Sequence, residues 1–380
     1  MYILKITLTN FRNFKEKTFS FSPKVNVIVG PNASGKTNLL ESIFVLSTGK
    51  SFKARIEEEM VNYNQEVGRV RGSIVNKSED GTAGTNLEVV LTRGEITVGA
   101  NPEKTSRVAR KKLLVNGVSK RLVDFAGCLR IVFFSPWDLD LVTEEPSKRR
   151  KFLDIVLSQV DREYRRALLS YEKGLRQRNR LLWRIREEGV SRSQLLFWNK
   201  LLVKNGDYIA KRRREFIEFA NSSGIQFPAS NFGLEYDPSA ISEARLEQYA
   251  NEEVAAATTL VGPHRDDFIF KISISGRISG ARIKERELAP YGSRGEQRMG
   301  VLWLKLAELS FIEKESGDKP VLLLDDIFSE LDHEHREVVM GIIGNQKVSL
   351  RRGFGGQAII TTADPHFVES VESVRQIMLK

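Results

Sequence analysis

Cysteine is almost absent from this chain of 380 residues, which contains only Cys128. A single cysteine forms no intramolecular disulfide and supplies no cysteine-rich zinc site, and such usage is typical of a reducing compartment. Apolar runs of about 18 residues, the length that spans a bilayer, are also lacking, and the first residues do not resemble a signal peptide. We therefore expect a cytoplasmic protein with no membrane partner.

Proline is missing from residues 147–220, where apolar residues recur at helical spacing. The recurring positions form two heptad-like series, Leu168, Tyr171, Leu175, Leu182 and Ile185, then Leu195, Trp198, Leu202, Ile209, Phe216 and Phe219. Gly189 and Ser191 separate the two series. The pattern predicts an antiparallel helical hairpin with arms of about 25 residues.

Acidic residues are scarce in the same part of the chain. The formal net charge is +10, and residues 148–214 contain 20 lysines and arginines against seven aspartates and glutamates. That stretch carries +13, so the rest of the chain sums to −3. Basic charge concentrated in one segment indicates a single surface that binds a polyanion.

Short strands and helices make up the remainder. The apolar segments Val25–Val29, 321–324 and 358–361 are predicted strands of a sheet that is buried between helices. Antiparallel strands are predicted between residues 67 and 98, and Asn116-Gly117 indicates a two-residue hairpin. These patterns favour an α/β fold.

A phosphate-binding loop is the clearest motif. The sequence GPNASGKT at residues 30–37 fits G-x-x-x-x-G-K-[ST], after a strand and at the start of a helix. Backbone N–H groups of such a loop converge on an anion, and its glycines let the backbone approach phosphate closely. Lys36 is predicted to reach the β- and γ-phosphates of a nucleotide, and Thr37 to ligate Mg²⁺.

Two adjacent carboxylates end a second apolar strand, in VLLLDD at residues 321–326. Asp325 is predicted to hold Mg²⁺, and Asp326 to orient or deprotonate an attacking water. Acidic residues are common where strands end, but the phosphate loop in the same chain favours the catalytic interpretation.

The sequence SRGEQ at residues 293–297 opens a predicted helix. Ser293 and Glu296 fit the S-x-x-E capping box, which is a sufficient structural reason for both. The alternative is that this helix N-terminus is a second phosphate site, where Gly295 permits close approach and Ser293 donates a hydrogen bond.

Together the motifs resemble ABC-type ATPases of the SMC/Rad50 branch, and most closely the RecF family of bacterial recombination mediators. The matching blocks are NFRNF at 10–14, FSPWDL at 134–139, RRKFLD at 149–154, QRN at 177–179, GPHRDD at 262–267 and YGSRGEQR at 291–298. The resemblance implies an ATPase head, residues 1–145 and 258–380, with a P-loop core sheet and an antiparallel β subdomain. It also implies a helical second lobe at 146–257 with a short coiled-coil-like arm.

The same resemblance implies a weak, DNA-stimulated ATPase that binds ATP and Mg²⁺, forms an ATP-dependent homodimer and acts as a switch. It implies binding to double-stranded DNA near single-strand gaps and work with RecR, with RecO and RecA downstream. The residues that it places at the nucleotide are Arg12, Gly30, Asn32, Ala33, Ser34, Gly35, Lys36, Thr37, Asn38, Ser293, Gly295 and Glu296. It places Thr37 and Asp325 at the metal, makes Lys36 and Asp326 catalytic, and puts residues 330–332 in a loop at the dimer interface.

The basic runs at the two ends of the charged stretch are expected to contact DNA phosphates. These residues are Lys148, Arg149, Arg150, Lys151, Lys211, Arg212, Arg213 and Arg214.

Three positions depart from the family pattern. No Gln occurs at 135–138, where a lobe-connecting Gln is usual, and Asp326 stands where Glu is common. Residues 361–364 contain no histidine switch, so no γ-phosphate sensor is assigned there.

Other functions fit the sequence less well. A Rad50/SMC-like DNA tether would need a much longer arm and a cysteine pair. The nucleotide-binding subunit of a transporter would lack the inserted basic arm, and a defence ATPase with a fused nuclease would need a further domain. The tether, or another ABC-type ATPase head, remains the alternative.

Overall fold

The computed structural model describes residues 1–78, 81–98, 104–225, 230–274, 285–327, 336, 355–364 and 374–379. The predicted interface loop at 330–332 lies outside these residues.

The strands are β1 (Tyr2–Phe11), β2 (Phe14–Ser20), β3 (Val25–Val29), β4 (Val67–Ser78), β5 (Gly81–Thr92), β6 (Glu95–Thr97), β7 (Thr105–Arg107), β8 (Lys111–Val115), β9 (Val118–Lys120), β10 (Ile131–Phe134), β11 (Ser230–Asp237), β12 (Asp267–Ile274), β13 (Glu285–Glu287), β14 (Val321–Asp325), β15 (Ala358–Thr362) and β16 (Arg375–Met378). The helices are α1 (Lys36–Thr48), α2 (Leu122–Phe125), α3 (Asp140–Thr143), α4 (Pro146–Val160), α5 (Arg162–Glu188), α6 (Leu195–Ser222), α7 (Glu243–Gln248), α8 (Ala250–Ala256), α9 (Leu288–Tyr291) and α10 (Arg294–Ser316).

The chain divides into two compact units. The first contains Met1–Asp138 and Ile312–Lys380, and the second contains Leu139–Phe311. The sequence predicted an inserted lobe at 146–257 only. Residues 258–311 group with the second unit because β12 pairs with β11 and β13 with β12, while α4 packs against β12 and α6 against β11.

A fully parallel sheet forms the centre of the first unit. Its order is β10-β14-β15-β3-β16, and every neighbouring pair is parallel. All residues of β3, β14 and β15 are buried, as expected for strands that are covered on both faces. The carboxyl ends of these strands lie side by side, since Asp325 is in register with Thr361, and Thr362 with Val29.

An antiparallel sheet in the order β2-β1-β4-β5-β8-β9 accompanies the parallel one, as the family resemblance implied. The predicted hairpin joins β8 to β9, with Asn116 at φ 50° and Gly117 at φ 79°, the left-handed conformations that a type I′ turn requires. Helix α1 packs against strands of both sheets, so the segment after the phosphate loop is held from two sides.

The predicted helical hairpin forms in the second unit from α5 and α6. The α6 positions Leu195, Leu202, Ile209 and Phe216 are buried as predicted. On α5 the predicted Tyr171 and Leu182 are buried, but the other buried residues are Tyr164, Ala167, Gly174 and Arg178, which were not predicted. Leu168 and Leu175 are only half-buried.

Glycines at the contact between α5 and α6 explain why the buried positions of α5 differ from the predicted ones. A Cβ atom on Gly174 would lie 2.5 Å from Leu201 Cδ2, and one on Gly206 would lie 3.2 Å from Tyr171 Cε2. Each glycine therefore makes room for a side chain of the other helix, which an apolar heptad count does not detect.

Candidate nucleotide-binding site

The phosphate loop connects the buried strand β3 to α1. Gly35 precedes the helix with φ 103°, and a Cβ atom there would lie 2.7 Å from Asn13 Nδ2. At Gly30 a Cβ atom would lie 2.7 Å from the carbonyl oxygen of Leu379. Both glycines are thus required by the geometry, at Gly35 by the positive φ and at both by the close approach of neighbours.

Lys36 lies across the loop that it follows. Its Nζ donates to the carbonyl oxygens of Gly30 at 2.6 Å and Pro31 at 3.0 Å, and the residue is only 8% exposed. The ammonium group is therefore held within the loop, where a phosphate oxygen can replace a carbonyl as its acceptor.

Thr37 and Asp325 meet at the carboxyl edge of the parallel sheet. Thr37 Oγ1 lies 3.2 Å from Asp325 Oδ1, and Thr361 Oγ1 donates to the same carboxylate oxygen at 2.7 Å. Burial raises the pKa of Asp325, although hydrogen bonds from Thr361 and Thr37 act in the opposite direction. A buried carboxylate beside a hydroxyl is an oxygen donor set that suits Mg²⁺.

Asp326 follows at the end of β14 in a left-handed conformation, with φ 49°. Its backbone N–H bonds the carbonyl oxygen of Thr361 at 3.2 Å and Oγ1 of the same residue at 3.0 Å. Thr361 therefore bonds both adjacent aspartates. A positive φ in a residue other than glycine is costly, and such strain clusters at functional sites.

Arg12 is tied to the helix that begins at the loop. Its guanidinium forms a bidentate pair with Glu41, with Nε–Oε2 at 2.8 Å and Nη2–Oε1 at 2.6 Å, and Glu41 is fully buried. Asn38 Nδ2 donates to Asn13 Oδ1 at 2.9 Å. Sequence analysis missed Glu41; an acidic residue among the apolar ones of NLLESIF, residues 38–44, was the available signal.

The loop also contains a buried hydroxyl group that forms no hydrogen bond with the described residues. Ser34 Oγ is buried and has no hydrogen-bond partner among the described residues. An unsatisfied buried hydroxyl is costly, and it lies in a loop whose backbone is open to an anion. The residues of the loop therefore fit a nucleotide phosphate.

The second predicted phosphate site is a helix cap in the second unit. Ser293 N–H donates to Glu296 Oε2 at 2.7 Å, and Glu296 N–H donates to Ser293 Oγ at 3.2 Å, which is the reciprocal capping box. Ser293 is exposed, and Gly295 is half-buried at the start of α10. The cap interpretation is confirmed, and the exposed helix N-terminus keeps the second interpretation open.

The predicted DNA contact needs correction at Arg213, which is 2% exposed. Its Nη1 lies 3.0 Å from Asp266 Oδ2 and its Nη2 lies 2.8 Å from Asp154 Oδ1. The side chain joins α4, α6 and the segment before β12 inside the second unit. A phosphate cannot reach it.

Arg149 and Arg150 also point into the protein. Arg149 forms a bidentate pair with Asp267, with Nε–Oδ1 at 2.6 Å and Nη2–Oδ2 at 2.9 Å. Arg150 Nη1 donates to the carbonyl oxygen of Asp266 at 2.9 Å. The RRKFLD and GPHRDD blocks are thus partners of each other, and Arg149 is no longer expected at DNA.

The remaining basic residues of the two runs differ in exposure. Arg212 pairs with Asp161 at 2.9 Å, and Lys148 pairs with Asp140 at 2.6 Å. Lys148, Lys151, Lys211 and Arg214 are exposed, whereas Arg212 is half-buried.

A buried polar network around His264 was not predicted. His264 Nε2 donates to the carbonyl oxygen of Thr259 at 3.0 Å, so Nδ1 accepts from the Tyr171 hydroxyl at 2.8 Å. Burial lowers the pKa of His264 to about 4. Close by, Arg178 is 1% exposed and pairs with the fully buried Glu253 at 2.6 Å. The arginines and aspartates of the family blocks therefore serve the interior of this unit.

Among the described residues, no helix has both the length and the apolar character that crossing a bilayer requires.

Comparisons with known proteins identify the family. The family model described as RecF/RecN/SMC N terminal domain matches residues 2–380. The chain is 35% identical over 366 residues to the DNA replication and repair protein RecF of Herpetosiphon aurantiacus, covering 90% of each chain. It is 36% identical over 378 residues to that of Roseiflexus castenholzii, again covering 90% of each.

Solved structures give the same result. The recombination mediator protein RecF-ATP of the RecFOR pathway matches with a TM-score of 0.80 and 32% identity, over 98% of this chain and 93% of that one. The Smc head domain of Pyrococcus furiosus, with 16% identity and a TM-score of 0.51 over 100% of this chain and 94% of that one, shares the fold. The chain therefore belongs to the RecF family of DNA replication and repair ATPases, in the RecF/RecN/SMC group.

Proposed function

We propose that this protein is an ATP-driven switch of recombinational repair, which dimerises around two ATP–Mg²⁺ and binds double-stranded DNA next to single-strand gaps. In this proposal it acts with RecR and RecO to help place RecA on gapped DNA. The observation that carries the ATPase part is the meeting of Lys36, Thr37 and Asp325 at one edge of the parallel sheet.

The chain's own residues suit the parts of this reaction. The loop N–H groups and Lys36 bind phosphate, and Thr37 with Asp325 would hold Mg²⁺, which neutralises phosphate charge when bound. Asp326 orients the attacking water and accepts its proton. An aspartate is one methylene shorter than the usual glutamate, and a misplacement of about 1 Å can cost about a hundredfold in rate. Slow turnover is what a switch needs.

Dimerisation follows from two anion sites in one chain. In a two-fold dimer, the exposed cap at Ser293 of one protomer would cover the nucleotide that Lys36 of the other holds. The exposed hydroxyl and N-terminal N–H groups of α10 support this arrangement, because they are donors near the positive end of a helix dipole.

The dimer is tested with Ser293→Arg, Ser293→Ala and a matched control, Ser119→Arg, at an exposed position of β9. We expect Ser293→Arg to bind ATP like the parent but to sediment as a monomer with ATP. The Ala variant loses both the cap, about 1 kcal/mol, and the hydroxyl that donates to the partner's nucleotide, so it should dimerise with ATP more weakly than the parent. If Ser293→Arg dimerises with ATP as strongly as the parent, Ser293 of one protomer does not cover the nucleotide of the other.

The catalytic role of Asp326 is tested with Asp326→Asn. The amide is not a useful base, so ATP turnover should fall by about a hundredfold or more while ATP binding and dimerisation persist. Unchanged steady-state turnover would remove Asp326 from this role.

DNA binding through the basic arm is supported by the charge of +13 in residues 148–214. Arg149 and Arg213 contribute to that charge but are bound to aspartates in the interior, so they are not among the expected contacts. Lys148, Lys151, Lys211 and Arg214 remain from the predicted runs because they are exposed. A long-range tether is disfavoured, since α5, with 27 residues, is only about 40 Å long.

A further inference from the structure

Helix α5 carries a line of exposed residues that no predicted motif includes. Its members, three or four residues apart, are Arg162, Arg166, Leu169, Lys173, Arg176, Arg180 and Trp183. Positions with this spacing share one face of a helix. The face lies opposite the buried residues of α5, such as Ala167, Gly174 and Arg178, by the 3.6-residue period.

The middle of this line holds three cations that are available to a ligand. Lys173, Arg176 and Arg180 are exposed and form no ion pair or hydrogen bond with the described residues. Arg149 and Arg213, in contrast, are bound to aspartates in the interior. The basic charge that can reach a polyanion is therefore on the outer face of α5 as well as in the predicted runs.

Trp183 continues the line beyond the last cation. Its exposed fraction is 47%, and no aromatic or cation–π partner occurs among the described residues. Indole rings are usually buried, and an exposed one next to cations is typical of a surface that stacks on nucleobases.

The spacing along the helix matches a nucleic-acid strand. From Lys173 to Arg180 the helix axis advances about 10 Å, the axial length of about three phosphates of one strand in a duplex. Trp183 follows about 4.5 Å further on, roughly one nucleotide step. Three phosphate contacts would thus be followed by a ring placed at the next base.

We propose that the outer face of α5, with Lys173, Arg176, Arg180 and Trp183, binds DNA at a junction between duplex and single strand. The three cations contact the backbone of the duplex, and the indole stacks on the first unpaired base. Paired bases are shielded by their neighbours in the stack, so the indole distinguishes a junction from continuous duplex. This inference rests on the proposed DNA-binding function and locates one of its contacts.

The backbone contact is tested by the salt dependence of DNA affinity for the full-length protein with ATP. The test variant is Lys173→Gln/Arg176→Gln/Arg180→Gln, and the matched control removes three exposed cations that are not among the expected DNA contacts, Lys112→Gln/Lys200→Gln/Lys204→Gln. If three phosphates are contacted, the slope of log affinity against log salt should become less negative by about 2.7 in the α5 variant, and by less than about 1 in the control. An α5 variant with the parental affinity and slope would overturn the proposal.

The stacking contact is tested with Trp183→Leu and Trp183→Phe on a duplex with a single-strand gap and on a continuous duplex of equal length. The Leu variant should lose about five- to 160-fold in affinity for the gapped substrate only, the range that one base–aromatic stack supplies. The Phe variant should largely keep this affinity, and Phe197→Leu on α6, which removes another exposed ring, should behave like the parent. Equal affinities of Trp183→Leu and the parent for the gapped substrate would refute the stacking role.

The parent protein separates this inference from the proposed function. A parent that binds neither substrate overturns both. A parent that binds both substrates while the α5 variants match it keeps the proposed function and overturns only this contact; the exposed indole would then be a surface for a protein partner.

Discussion

Replacing Arg213 should lower the free energy of unfolding of the second unit far more than replacing its neighbour Arg214. Arg213 pairs with Asp266, whose side chain is 1% exposed, and with Asp154. Arg213→Gln removes the charge and leaves a buried carboxylate without its partner. Breaking a buried pair in this way costs about 3–5 kcal/mol, because the remaining charge is desolvated and uncompensated. Arg214→Gln changes an exposed side chain and should alter the free energy of unfolding by less than about 0.5 kcal/mol.

Thermal and urea unfolding, followed by far-ultraviolet circular dichroism at pH 7, measure the difference. For a unit of 150–250 residues, 1 kcal/mol corresponds to about 2–4 °C, so Arg213→Gln should lower the Tm of the transition by about 6–20 °C. The same pair of variants separates stability from DNA binding, since any loss of affinity in Arg213→Gln would come with the loss of structure. Equal Tm values for the two variants would refute the buried assignment of Arg213.

Other tests address backbone, pH and the phosphate loop. Burial lowers the pKa of His264 from 6.5 to about 4, so between these two pH values the unfolded state binds more protons than the folded state. The free energy of unfolding should therefore be highest above pH 6.5 and fall by about 3 kcal/mol as the pH approaches 4. Urea titrations across that range should show that His264→Gln abolishes this loss. Gly262→Ala places a Cβ atom 2.2 Å from the Tyr171 hydroxyl at φ 129°, whereas Gly224→Ala, at φ 69° with open space around it, carries strain alone; the first should be less stable than the second by about 2 kcal/mol or more in chemical denaturation, and equal stabilities would contradict the packing described. Gly35→Ala should abolish ATP binding in a filter or calorimetric assay with the fold retained, since both its φ and its neighbours exclude a side chain.

Chain-local features of the fold follow from the sequence alone. The strand at Val25–Val29, the loop that ends at Lys36 and the turn at Asn116 are set by short-range patterns, and the structure has each where it was predicted. Such patterns succeed because they depend on backbone conformations and on the alternation of burial within one element. The capping box of Ser293 is predictable for the same reason, since both partners lie within four residues.

The buried face of α5 could not be predicted fully from short-range patterns. The heptad count favoured Leu168 and Leu175, but the buried positions include Gly174 and Arg178. Leu201 of α6 packs against Gly174, and the guanidinium of Arg178 is satisfied by Asn199 of α6 and Glu253 of α8. A pattern that scores residues by hydrophobicity assigns neither Gly174 nor Arg178 to a core. The membership of residues 258–311 in the second unit was missed likewise, because strand pairing between β11 and β12 joins segments that are separated in the sequence.

The charge of the arm was fixed by its composition, but its availability was decided by the tertiary structure. From the sequence, Arg213 and Arg214 were equally expected to contact DNA, because they are adjacent residues of one type in one basic run. On a helix, consecutive positions point about 100° apart, so one guanidinium is directed toward Asp266 in the interior and the other toward solvent. Which cations remain for a polyanion depends on which carboxylates the fold brings to them, and those carboxylates come from residues more than 50 positions away.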